Sequence, residues 1–211
     1  MKERLDRQLA FLRELDKLKG VSRRISLIDR SRLENSAEHS WHLGTMAVTL
    51  AEYAPAGTDI GRVVEMLLVH DIVEIDAGDT FAFDAAANVD KAERETLAAE
   101  RLFGLLPDDD ARRLRDLWNE FEQSATPTSR FANALDRFQG LLMNDAPGDG
   151  GTWRIHGVSK KQVLTRMAPI QSGAPALWPA VLEAVERAAQ AGHVTGSTST
   201  SIPPTIPATK L

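Results

Sequence analysis

Three features predict an all-helical fold for this chain of 211 residues. Apolar residues recur at three-and-four spacing, the period of a helix with one buried face, in one segment after another. Cap-forming residues precede those segments and Gly or Pro follows them. No stretch of useful length alternates apolar and polar residues as a half-buried strand does. The length suits one sizeable core and does not demand a second domain.

Taken in order, Leu5, Leu9, Leu12, Leu15 and Leu18 put one apolar face on a first helix, which Gly20 ends. Residues 21–34 have no sustained period and contain four arginines, so they read as a loop. Asn35 with Glu38 three residues later has the pattern of a capping box. The helix it opens runs through Trp41, Met46 and Leu50 to Pro55, with His39 in its first turns and Trp41 assigned to core packing. Asp59 can cap the next helix, whose Val63, Val64, Leu67 and Leu68 face inward before the chain reaches His70 and Asp71. His70 and Glu74 are four residues apart and share a helical face.

Gly78 breaks that segment, and Phe81 to Asp84 form a loop or short turn over the acidic residues. A helix over about residues 89–106 turns Leu97, Leu102 and Phe103 inward and stops at Pro107; the following one, from Asp108, carries Leu114, Leu117, Trp118 and Phe121. Thr126-Pro127 is a cap and a proline where a helix begins, and Phe131, Leu135, Phe138 and Leu142 give that helix its apolar stripe, with Asp136 beside it. Residues 144–151 are a loop by composition. Short helices near 159–167 and 176–191 complete the domain, with Gly192 as the stop. The folded domain is set at residues 1–192. The rest, 193–211, is rich in Ser, Thr and Pro and is expected to be a disordered tail without a role in chemistry.

Composition narrows the functional classes. A net charge of −5 gives no basic field for a polyanion, so a nucleic-acid polymer is not the expected partner, whereas a small phosphorylated ligand needs only a few local cations. With no cysteine, disulfides, thiolate metal sites and cysteine nucleophiles are excluded. No apolar run approaches the ~20 residues needed to span a bilayer, and the charged N-terminus lacks a signal core. A soluble, cytoplasmic protein without a membrane partner is expected.

The stretch from Leu67 to Thr80 holds the densest chemistry. An apolar run delivers His70-Asp71, and then Glu74, Asp76 and Asp79 follow. Burying ionised carboxylates without a partner is costly, and a cation is the simplest partner. His39, His70, Asp71 and Asp136 come from three predicted helices and form a mixed nitrogen and oxygen ligand set. That set suits one divalent ion, Mn, Co, Fe, Ni or Zn, and Mg less naturally. On spacing alone, both histidines can equally be core residues with ordinary hydrogen bonds.

Glu38-His39-Ser40, then His70-Asp71-Ile72-Val73-Glu74, then Gly78-Asp79, then Ala134-Leu135-Asp136 together resemble the HD-domain superfamily of metal-dependent phosphohydrolases. Within it the pattern is similar to the small 5'-deoxynucleotidase-like HD hydrolases, over roughly residues 5–192. The resemblance implies an HD-domain helical bundle with His39, His70, Asp71 and Asp136 as metal ligands and Glu74 and Asp79 as acidic catalytic positions. It also implies release of phosphate from a small phosphomonoester such as a nucleoside or deoxynucleoside 5'-monophosphate, and a homodimer.

The residues agree with that chemistry. A divalent ion neutralises a phosphate dianion and aligns attack on it. Glu74 can orient or deprotonate the attacking water, and Asp79 can protonate the leaving oxygen or hold a second water. Counting back from His39 puts Arg24 at the phosphate-contacting arginine of the resembled group; Arg23, Arg30 and Arg32 are read as solvated charges. Where that group carries Trp after its arginine, this chain has Ile25, which cannot stack on a base. Two alternatives follow: the same hydrolase acting on a non-nucleotide ester or a phosphodiester, or a ligand-binding HD protein without turnover. His42, His156 and His193 are assigned structural or solvated roles, and Trp118, Phe121, Phe131 and Phe138 belong to the core.

Overall fold

A computed structural model describes residues 1–84 and 86–196. Helix α1 spans Lys2–Leu15 and continues as a 3-10 turn over Asp16–Gly20. Next comes an antiparallel ribbon of β1 (Ser22–Ser26) and β2 (Leu33–Asn35). Helices α2 (Ser36–Thr49) and α3 (Ile60–Val69) follow, then the single turn α4 (Glu74–Ala77). After them come α5 (Lys91–Phe103), α6 (Asp108–Gln123) and the long α7 (Pro127–Asp145). Four shorter elements close the domain: α8 (Gly151–Ile155), α9 (Lys160–Met167), α10 (Ile170–Gly173) and α11 (Trp178–Gln190).

The predicted caps do set the helix starts that matter for the site. Asn35 accepts from the Glu38 amide at 2.9 Å while the Glu38 side chain reaches back to the Asn35 amide, so α2 begins with a complete capping box. Thr126 does the same for α7 through the Ser129 amide at 3.0 Å, with Pro127 at the first helical position. Helix α7 is buried along most of its circumference, from Phe131 through Leu135 and on to Phe138, Leu141 and Met143. It is the central helix, packed by α2, α3, α6, α9, α10 and α11. Helix α10 crosses it at backbone contact, since a Cβ on Gly173 would lie 2.1 Å from the Arg130 carbonyl oxygen.

The ribbon replaces the loop expected over residues 21–34. Its strands are five and three residues long with an irregular register, too short for an alternating pattern to show. The turn is held by the Leu27 amide donating to the Arg32 carbonyl at 2.9 Å. Helix α7 reaches Asp145 and α8 occupies 151–155, so the loop expected over 144–151 is shorter than its composition indicated.

Several leucines predicted inward face solvent. On α1 only Phe11 is fully buried, and Leu5, Leu9 and Leu12 are exposed. Leu68 and Leu97 are exposed as well, and Trp41, assigned to the core, is 67 % exposed. A helical period identifies an apolar face without identifying an element that covers it. The ordered chain also runs past the expected boundary at 192. Val194 is buried, and Thr195 pairs with the α9 entry, donating to the Val158 carbonyl and accepting from the Lys160 amide, each at 2.9 Å. Residues 197–211, most of the predicted tail, lie outside the described residues.

Candidate active site

Three elements converge on one buried point. The α2 cap places His39 in the first turn of its helix, facing α7. Helix α3 stops at Val69, and the break lets consecutive side chains, His70 and Asp71, both turn inward. In a continuing helix, adjacent residues would diverge. Asp136 comes from the middle of α7.

Donor atoms of His39, His70 and Asp136 all lie within 4.8 Å of one another. His39 Nε2 is 3.1 Å from Asp136 Oδ1. Asp71 stands at the edge of this group, its Oδ1 3.1 Å from His70 Nε2 and its Oδ2 3.8 Å from His39 Nε2. All four expected ligands therefore meet, with Asp71 the most loosely gathered.

The donor set fits a divalent cation. His70 Nδ1 lies 3.0 Å from the Leu67 carbonyl, which can only accept. That nitrogen therefore carries the proton and Nε2 presents a lone pair. Nε2 is buried and has no hydrogen-bond partner. Burial holds both imidazoles neutral, His39 down to about 3. Burial opposes charge on Asp136 too, but the hydrogen bond from His39 and the Arg137 and Arg166 guanidiniums outweigh it and keep this carboxylate ionised. Asp71 and Glu74 are each pushed up to about 8, by burial first and by neighbouring carboxylates next. The centre thus has more acid than its own cations neutralise.

Glu74 begins α4 one turn beyond His70; it is buried and accepts from Ser36 Oγ at 2.6 Å. Asp79 lines the same cavity, delivered by Gly78, whose φ of 73° is the left-handed conformation glycine tolerates. Arg23, read as a solvated charge, is mostly buried: its Nη1 lies 3.1 Å from Asp71 Oδ2 and its Nε 3.3 Å from Glu34 Oε2. The ribbon explains this, because alternate residues of β1 face opposite ways, and Arg23 turns in while Arg24 is exposed at the cavity rim. Arg30 and Arg32 pair with Asp149 and Glu38 on the surface.

The cavity above the centre encloses about 250 Å³. Ile25, Phe81, Phe83, Trp153 and Met167 form its apolar wall, and Arg23, Arg24, Lys91, Arg137 and Arg166 its basic groups. Phe121 stacks on His70 at 4.7 Å between ring centroids, and so is both core and support for a ligand. His42 approaches Gln139 at 3.4 Å and stays out of the donor group. His156 is exposed and stacks on Phe81 at 4.7 Å.

Sequence reasoning did not find Glu34, Trp153, Arg137 or Arg166. Arg137 had a local signal, a cation directly after Asp136 on the central helix. Trp153 and Arg166 had none, because only the tertiary fold brings α8 and α9 to the cavity. Glu34 is buried, 3.7 Å from His39 Nδ1 and bonded to Gln139 at 2.8 Å, so it backs the ring on the side away from Asp136.

A helical bundle that gathers two neutral imidazoles and a set of carboxylates at one buried point defines a protein with a histidine–carboxylate centre. The chain belongs to the HD domain family, whose profile matches residues 15–178. It superimposes on the crystal structure of a predicted metal-dependent phosphohydrolase from Magnetospirillum magnetotacticum with a TM-score of 0.87 and 49 % identity, over 92 % of this chain and 100 % of that one. It is 31 % identical over 135 residues to the 5'-deoxynucleotidase HDDC2 of Xenopus laevis, covering 64 % of this chain and 66 % of the frog protein. With the Bos taurus counterpart it shares 32 % over 137 residues, 64 % of each chain. The matched stretch spans just under two thirds of these curated relatives. Among the described residues, no helix is long and apolar enough to cross a membrane.

Proposed function

We propose that this chain is a metal-dependent phosphohydrolase that releases phosphate from a small phosphomonoester, with a nucleoside or deoxynucleoside 5'-monophosphate as the leading substrate. The observation that carries this reading is the His39–His70–Asp136 donor group with a lone pair of His70 aimed into it and Arg23 beside it. The solved relative's name, metal-dependent phosphohydrolase, and the curated relatives' name, 5'-deoxynucleotidase, point the same way.

His39, His70, Asp71 and Asp136 would hold one divalent ion, of the Mn, Co, Fe, Ni or Zn type. Such an ion supplies charge neutralisation for the phosphate and a more acidic water. Arg23, with a fork of donors already in the centre, binds a phosphate oxygen. Glu74, which would be ionised once a cation displaced its proton, accepts the proton of the attacking water as the new P–O bond forms. Asp79 gives a proton to the ester oxygen as the old P–O bond breaks. Arg24, at the rim, contacts the part of the ester that extends outward. Phe81 and Phe83 close the apolar side and exclude bulk water.

Ile25 lines the cavity and favours a second reading, in which the ester is not a nucleotide or is a phosphodiester. The exposed Leu5, Leu9 and Leu12 of α1 support a homodimer. Phosphate release from nucleotides, sugar phosphates and diesters, assayed with each metal in turn, tests the function. Turnover of 5'-monophosphates supports the first reading, turnover of other esters alone the second, and no release with any metal removes both.

A further inference from the structure

Beside the reaction cavity lies a second, more open depression lined by eight residues that include Arg137, Lys161 and Arg166 and no Asp or Glu. The two spaces share Ala82, Phe83, Arg137 and Arg166, so they lie side by side on the same residues. In a chain of net charge −5, a wall with three cations and no acid requires a reason.

The two arginines come from different elements and converge on one oxygen. Arg137 Nη1, from α7, lies 2.9 Å from Asp136 Oδ2, and Arg166 Nη2, from α9, lies 3.9 Å from that same atom. Arg137 Nε is buried without a partner, and among the described residues Arg166 makes no hydrogen bond and Lys161 no ion pair. Two guanidiniums beside one carboxylate leave a net positive charge on this wall. Asp136, moreover, already faces the histidines with its other oxygen. Forked, partly desolvated donors with spare N–H groups are suited to a phosphate, which accepts from several at once.

We infer that Arg137, Arg166 and Lys161 form a second anion subsite, and that the substrate is a phosphomonoester carrying a further phosphate group. The inference rests on the phosphohydrolase reading and deepens it. The scissile phosphate lies over the histidine–carboxylate centre, and the other phosphate of the same molecule occupies the annex. The organic part spans the shared section under Phe83.

Deoxyadenosine 3',5'-bisphosphate and deoxyadenosine 5'-monophosphate distinguish the possibilities. With metal-loaded protein at low salt, kcat/KM is expected to favour the bisphosphate about tenfold, the scale of one charge-assisted contact. Lys161→Met and Lys161→Gln, at an exposed position outside the reaction cavity, each bring that ratio close to one. Thermal stabilisation by the two nucleotides gives a readout independent of turnover: the bisphosphate stabilises the wild type more, and both variants lose the difference. Hydrolysis of the monophosphate with no preference and no difference in stabilisation overturns the subsite while leaving the hydrolase reading intact. Equal losses for both substrates in the Lys161 variants also overturn it, since that cation would then serve the scissile phosphate. If no ester is hydrolysed yet the bisphosphate still stabilises more, and does so through Lys161, the subsite stands and the hydrolase reading fails.

Discussion

The Leu67 carbonyl fixes the chemistry of His70. At 3.0 Å it takes the Nδ1 proton and turns the Nε2 lone pair into a buried space where no protein donor meets it. A buried imidazole nitrogen without a partner is costly unless something other than a protein hydrogen bond satisfies it. His39 approaches the same point from α2 with its Nε2 3.1 Å from Asp136. His70→Ala and His39→Ala are each expected to abolish stoichiometric metal binding, measured by elemental analysis of purified protein. Full retention of metal by either variant would place the ion elsewhere.

The acids of the centre give a pH dependence whose sign reverses with metal. Asp71 and Glu74 are raised from 3.8 and 4.5 to about 8 in the folded chain. Between those values and about 8, the metal-free folded state keeps protons that the unfolded chain has released. His39 and His70, held neutral in the fold but protonated in the unfolded chain below 6.5, oppose this at lower pH, so the net slope is negative and the metal-free protein loses stability as pH rises from about 6.5 to about 8. Metal must displace the same protons, and its affinity rises over the same window. Thermal melting above about pH 6.5, with and without added Mn, reads both trends; a metal-free melting temperature that climbs with pH from there to about 8 contradicts the assignment.

Glu74→Gln keeps the size of the side chain and an oxygen for the Ser36 hydroxyl, whose hydrogen bond is 2.6 Å. It removes the group able to take a proton. The variant is expected to bind metal as wild type does and to lose roughly 10²–10⁴-fold in kcat, the contribution typical of a positioned base. Elemental analysis beside steady-state kinetics checks it: loss of metal would move Glu74 among the ligands, and retained turnover would remove it from the reaction.

The helices that carry the site were legible because their signals are local. The Asn35–Glu38 box and the Thr126-Pro127 pair each lie within a few residues, and they fix where His39 and Asp136 fall on α2 and α7. The histidines and aspartates could be grouped from the ordered motifs of the family. Arg23 could not, because its inward turn depends on pairing between β1 and a three-residue β2, which no propensity reveals. Leu5, Leu9 and Leu12 mark the opposite failure, a clear helical stripe that no described element covers. Trp153 is 1 % exposed, two residues beyond a segment, 144–151, whose glycines indicated a loop. Gly150 and Gly151, at φ of 77° and 45°, start α8 and bring that ring to the cavity wall, so the glycines that hid the helix also position it.

Arg94 ties down the segment that carries Phe81 and Phe83. From α5 its guanidinium donates to the Ala77 carbonyl, to Thr80 Oγ1 at 3.2 Å and to the Ala87 carbonyl at 3.0 Å, so one side chain holds both ends of the loop. Asp84 organises the middle, accepting from the Ala86 and Ala87 amides, each at 3.1 Å. Arg94→Ala leaves the Ala77 and Ala87 carbonyls without these donors but removes nothing from the metal centre. The loop should therefore open more often while the core stays folded, since local opening is governed by the contacts of the segment itself. Limited proteolysis is expected to cut within residues 80–89 several-fold faster in the variant. KM for the phosphoester should rise more than kcat falls, because the apolar wall closes less completely over the substrate. Equal protease sensitivity in the two proteins would show that the loop is held by Phe81 packing on Phe83 and His156, whose ring centroids lie 5.5 and 4.7 Å away, instead of by Arg94.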